Sequence, residues 1–112
     1  MQVIISARHT TLPDHVRDHI QEQFQRLSRF EPRASRTEVT VREESGSCVI
    51  EAVVSIDGDA SVHGTAEAEM FRSATDRLID KLATQLKKVR SRRTDHRTTL
   101  PEVYREPDDL DA

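Results

Sequence analysis

Small and apolar side chains alternate with mostly polar ones from the first residues. In MQVIISAR, Val3, Ile5 and Ala7 fall on one side and Gln2, Ile4, Ser6 and Arg8 on the other, the period of a strand with one buried face. From Leu12 the period lengthens: Val16, Ile20, Phe24 and Leu27 recur at spacings of four, four and three, a single buried helical stripe. Thr11, Pro13 and Asp14 mark its start with a hydroxyl near the cap, a proline where a backbone N–H has no partner anyway, and an acid in the first turn. Pro32 disfavours helical geometry at Glu31, so this helix should end near Phe30. A period of two returns in Thr37 to Glu43, with Val39 and Val41 inward, and again in Cys48, Ile50, Ala52, Val54 and Ile56. The segment ESGSC between them predicts a hairpin turn around Gly46. A second turn, Asp57 to Asp59, leads to a fourth strand with Val62, Gly64 and Ala66. From Glu69 to about Arg93 a longer helix carries Phe71, Ala74, Leu78, Leu82, Leu86 and Val89 on one face.

The order strand, helix, three strands, helix predicts an α+β fold. Its β-α-β-β-β-α chain would form a four-stranded mixed sheet with two helices on one face, a two-layer sandwich like that of double-stranded RNA-binding domains. Right-handed crossover makes the first two strands parallel neighbours, and hairpins make the rest antiparallel. Residues 1–93 form the one domain, and 94–112, where two prolines and a run of acids replace the apolar period, form a flexible acidic tail.

Charge sharpens this division. The chain of 112 residues has a formal net charge of -3, yet 16 basic and 15 acidic residues lie in 1–97, against 1 basic and 5 acidic in 98–112. Local potential acts within a Debye length of about 8 Å in physiological salt, so the acidic total conceals a basic body. Its densest part is QLKKVRSRRTDHR, where Lys87, Lys88, Arg90, Arg92, Arg93 and Arg97 have one acid, Asp95, among them. With about 100° per residue and Phe71 at zero, Arg77, Lys81, Lys88 and Arg92 cluster between roughly 240° and 300° beside the buried face. Asp76 and Asp80 fall on the back, where Asp76 can pair with Arg72. Cations near a helix C-terminus complement the macrodipole by a few tenths of a kcal/mol each, which accounts for two or three of them; the remainder indicate contact with phosphates. Arg26 and Arg29 lie beside the stripe of the first helix, with Arg33 and Arg36 in the loop after it.

Other chemistry finds little footing. Aromatics are 4% and tryptophan is absent, which disfavours stacking platforms for single-stranded bases. His15 and His19 have the spacing of a helical metal pair, but sequence places no third ligand. The lone Cys48 falls on an apolar strand face, the setting of an inert thiol. With three glycines there is no phosphate-cradling loop, and no catalytic pair of carboxylates stands out. The expectation is a cytoplasmic non-enzyme without cofactor, metal or small-molecule substrate, not membrane-associated and monomeric when free.

The segments MQVIISARH, PDHVRDHIQEQFQRLSRF and, most specifically, AEAEMFRSATDRLIDKLATQLKKVR resemble the bacterial family of ribosome hibernation-promoting factors and the ribosome-associated inhibitor, also described as sigma-54 modulation or S30EA-like proteins. The likeness covers about residues 1–93. It implies the same fold and a translation inhibitor that occupies the decoding channel of the small ribosomal subunit in stationary phase or stress, blocking messenger and transfer RNA. The family's basic positions fall on Lys81, Lys87, Lys88 and Arg90, with Arg92 and Arg93 extending them, Arg26 and Arg29 as partners and Arg8 reaching toward rRNA; Arg77 joins this candidate rRNA-binding set from the helical stripe. Phe71 stands where the family has a tyrosine, Glu69 where it has an aspartate, and Thr75 at an aliphatic position. Long members join two ribosomes through a second domain; the acidic extension resembles that of the short, tailed members, which tend to oppose pairing. Two other readings stay open: a stand-alone module for double-stranded RNA, and a protein–protein adaptor acting through the acidic tail.

Overall fold

The computed structural model describes residues 1–98, with side chains described as far as 92. Its elements are β1 (Gln2–Arg8), α1 (Asp14–Gln25), a 3-10 turn (Arg26–Arg29), β2 (Ala34–Glu44), β3 (Ser47–Ile56), β4 (Val62–Ala68) and α2 (Phe71–Thr98). The sheet order is β1-β2-β3-β4. β1 runs parallel to β2, and β2/β3 and β3/β4 are antiparallel. This is the expected mixed sheet, and its two helices pack on one face through Ile20, Phe24, Leu27, Leu78, Leu82 and Leu86, all fully buried.

The period of two settles which side chains enter the core. Val39, Val41, Ile50, Ala52, Val54, Val62 and Ala66 are buried beneath the helices, while Gln2, Ser6, Arg8, Glu38, Val53, His63, Thr65 and Glu67 are at least 36% exposed on the opposite face. Ser45 and Gly46 take φ of 50° and 83° between the paired residues Glu44 and Ser47. Two consecutive left-handed residues make the turn that matches the twist of a hairpin.

Several boundaries differ from those expected. α1 stops at Gln25, and the chain tightens into the 3-10 turn before Phe30, so Arg26 and Arg29 belong to that turn rather than to α1. No hydroxyl caps α1; Pro13 holds the cap position, and its carbonyl accepts from Val16 and Arg17 N–H. α2 continues to Thr98, past the expected end at Arg93. The apolar period ceases there, but no proline or glycine occurs before Pro101, so nothing in the backbone stops the helix. The remainder of the acidic segment, 99–112, lies outside the described residues.

Two buried polar side chains follow from local geometry. Thr75 is fully buried, and its hydroxyl donates to the Phe71 carbonyl at 2.7 Å, so a polar residue fits an aliphatic position without an unsatisfied group. Glu31, also fully buried, accepts from the Arg33 N–H at 2.9 Å where the chain turns into β2. Cys48 lies in the core cluster, with its Sγ 3.5 Å from the Glu69 carbonyl. Burial, and secondarily the charge of Glu43, pushes its thiol pKa up. Since only the thiolate reacts, alkylation of the folded chain at neutral pH should run at least about tenfold slower than in denaturant. Mass spectrometry of iodoacetamide-treated samples would show this, and equal rates would place the thiol at the surface.

Candidate nucleic-acid interface

Six cations of α2, from Arg77 to Arg92, divide into three groups according to what lies beside them. Arg77 and Lys81 flank β4, an edge strand. Arg77 Nη1 donates to the Glu67 carbonyl at 2.7 Å and Lys81 Nζ to that of Thr65 at 2.9 Å. Gln85, one turn further, donates to the His63 carbonyl at 3.2 Å. These donors sit at successive i, i+4 positions, so one helix flank faces one strand edge.

β4 begins at Val62, and the same flank continues past it. Lys88 and Arg92 therefore lie past the start of this edge strand, exposed and without an ion pair or hydrogen bond among the described residues. The third group lies on the flank toward α1. Lys87 Nζ stands 4.9 Å from the centroid of the Phe30 ring, a cation–π contact that ties α2 to the end of the 3-10 turn. Arg90, three residues on, is exposed, as are Arg26 and Arg29 on the turn, which packs against α2. The structure thus brings Arg26, Arg29, Lys87, Lys88, Arg90 and Arg92 to the C-terminal half of the helical layer. The Arg93 side chain lies outside the described residues.

Acids are segregated from this region. From Lys81 to Arg92 the helix has five cations and no carboxylate. Asp76 and Asp80 lie in its first half, and Asp76 does not pair along the helix with Arg72. Its Oδ1 instead meets His19 Nε2 of α1 at 3.1 Å. The helices run side by side, and a contact across them needs no long side chain stretched along the surface. His19 is thereby engaged by a carboxylate, and no group of three metal-ligating side chains forms among the described residues.

Arg8 lies elsewhere. It ends β1 on the face away from the helices, in register with Arg42. Arg42 is held by Glu44 at 3.1 Å and Glu51 at 3.0 Å, whose hydrogen bonds raise its already high pKa. Together with the Arg36–Glu38 pair these contacts make the open sheet face a mixture of both signs, whereas the stretch of α2 from Lys81 to Arg92 carries one sign. Phe71 is buried against the core, so the missing phenol leaves no exposed gap.

Sequence reasoning did not single out Gln85, or Arg17 and Gln25 on α1, as edge-contacting residues. Their signal was the four- and eight-residue spacing of long donors. Recognising it required knowing that β4 and β1 are the edges.

Comparison with known proteins agrees with this architecture. Residues 3–94 match the family described as sigma 54 modulation protein / S30EA ribosomal protein. The chain is 28% identical over 96 residues to a protein of Klebsiella oxytoca named "Ribosome hibernation promoting factor", covering 86% of this chain and all of that one. A protein of the same name from Azotobacter vinelandii is 37% identical over 86 residues, covering 77% of this chain and 79% of its own. Among solved structures, a ribosomal subunit interface protein from Coxiella burnetii superposes with a TM-score of 0.76 at 19% identity, covering 81% of this chain and 99% of that one. The N-terminal domain of Thermus thermophilus Protein Y gives 0.71 at 24% identity, with 80% and 99% covered. The chain belongs to the sigma 54 modulation protein / S30EA ribosomal protein family.

Proposed function

We propose that this chain is a ribosome hibernation factor that binds the small ribosomal subunit at its decoding channel and excludes messenger and transfer RNA by occupying their space. The observation that carries the reading is the carboxylate-free run of cations on α2, which continues past the start of β4 and is joined by Arg26 and Arg29. Family membership and the names of the Klebsiella and Azotobacter relatives support the choice of a ribosomal partner over other polyanions. Residues 1–93 would be the ribosome-contacting domain and the acidic residues after it an accessory segment. The work is steric and electrostatic: side-chain cations meet rRNA phosphates, and the folded body fills the channel. Folded RNA offers phosphates and 2′-hydroxyls more readily than base edges in its deep groove, so shape and charge dominate recognition. Arg8 could meet RNA only from the opposite face of the sheet.

The test is co-sedimentation with vacant small subunits, paired with inhibition of cell-free translation. With about six phosphates neutralised, affinity should fall by roughly three powers of ten between 50 and 200 mM salt on the duplex-DNA scale. Binding unaffected by salt would reject the electrostatic contact. Equal affinity for a plain RNA duplex would favour the double-stranded RNA module. Loss of ribosome association on deleting 99–112 would favour the adaptor reading.

A further inference from the structure

A sheet edge exposes every second carbonyl and N–H as a template for another strand. Both edges of this sheet, β1 and β4, have such carbonyls occupied by side chains from the helix above them. On β4, Arg77, Lys81 and Gln85 donate to Glu67, Thr65 and His63 at 2.7, 2.9 and 3.2 Å. At the β1 edge, Gln25 Nε2 donates at 3.0 Å to the carbonyl of Met1, just before the strand, and Arg17 Nη1 lies 3.5 Å from that of Ile5. In each case the helix number rises as the strand number falls. Four helical residues advance about 6 Å and two strand residues about 6.8 Å, so a helix antiparallel to an edge strand can satisfy successive outward carbonyls from successive turns. The match requires close approach. Gly64 supplies it on β4, since a Cβ there would stand 2.7 Å from Leu78 Cδ1.

We propose that these side-chain ladders are edge guards that keep the sheet a four-stranded monomer, and that the β4 surface they cover is a strand-addition site fitted to β4 of a second copy of this chain. The strand complements itself. Antiparallel pairing centred on Thr65 sets Thr65 against Thr65 and His63 against Glu67, a hydroxyl pair and an imidazole beside a carboxylate that can accept its N–H. All three side chains are exposed on the open face, and β4 pairs with β3 without a register shift. No proline in VHGTAEA protects the edge by removing a donor. Arg77, Lys81 and Gln85 therefore prevent the pairing, and they do so as hydrogen-bond donors rather than as charges, since Gln85 is neutral. The guard rests on contacts within the chain and stands whether or not a ribosome is the partner.

The experiment compares the parent, of 12.8 kDa, with the variant R77A/K81A/Q85A and the variant R77Q/K81Q by light scattering and amide hydrogen exchange. The triple alanine variant should double in mass at micromolar concentrations and slow the exchange of the His63, Thr65 and Glu67 amides at least tenfold. R77Q/K81Q, which loses charge but keeps amide donors, should remain monomeric. A folded triple variant that stays monomeric overturns the proposal, as does a dimer whose β4 amides exchange at the parental rate. Dimerisation of R77Q/K81Q to the same degree would make charge, not carbonyl capping, the guard. Should the triple variant not fold, Lys81→Met retains the aliphatic stem and removes the donor. Its Thr65 carbonyl 13C resonance should then move upfield, and an unchanged resonance overturns the contact.

Discussion

Glutamate in place of Lys87, Lys88, Arg90 and Arg92 together is expected to abolish co-sedimentation with small ribosomal subunits while leaving the fold in place. These four side chains are exposed, and none caps the sheet edge, so the exchange separates RNA contact from the structural work of Arg77 and Lys81. At about 1 kcal/mol per exposed charge contact, four lost contacts come to roughly three powers of ten in affinity, and the introduced carboxylates add repulsion from phosphate. The structural cost is small. Surface exchanges fall within about 0.5 kcal/mol each, and the loss of the Lys87–Phe30 contact adds about 0.5–1 kcal/mol. Circular dichroism at 25 °C should therefore resemble the parent, with Tm lowered by no more than about 12 °C. A folded variant that still sediments with subunits at physiological salt would remove the end of α2 as the contact surface.

The largest expected effect on stability comes from a residue without a side chain. Gly64 lies on β4 where α2 passes closest. An added Cβ would meet Leu78 Cδ1 at 2.7 Å and Leu82 Cδ2 at 3.1 Å. Both leucines are fully buried at the centre of the helical stripe, so they can yield only by leaving good rotamers or by lifting the helix. Overpacking of this kind costs about 1–3 kcal/mol, and for a domain of this size each kcal/mol lowers Tm by roughly 4 °C. Gly64→Ala should thus melt about 4–12 °C below the parent, and Gly64→Val, with two further methyl groups at the same place, lower still. Lifting α2 would also lengthen the contacts from Lys81 and Gln85 to β4. A Gly64→Ala melt within 1 °C of the parent would mean that the helix does not press on the strand there.

Much of the fold could be read from residue spacing because burial has a period. Val3, Ile5 and Ala7, or Cys48 through Ile56, alternate since successive strand side chains point to opposite faces, and Val16 through Leu27 recur at three and four since a helix turns about 100° per residue. Such local rules yielded the element order, the single helical face of the sheet and the buried positions of α2. They also located the concentration of cations, because charge is a property of residues and survives any arrangement of the chain. They were weakest at helix ends, where α1 tightened into a 3-10 turn and α2 outlasted its apolar period.

What each cation does depended on neighbours distant in sequence. Arg77, Lys81, Lys88 and Arg92 share a helix flank and look equivalent along the chain, but β4 begins at Val62 and lies beside only the first two. Arg8, equally basic, is separated from them by the thickness of the sheet, and Asp76 finds His19 on the other helix before it finds Arg72 on its own. Covalent geometry and side-chain chemistry were enough to set the elements and the places where charge accumulates. Which charges are engaged at a strand edge and which remain free for a partner followed from packing, because a carbonyl at an edge becomes an acceptor for a helix only after strand order and close contact have placed the two side by side.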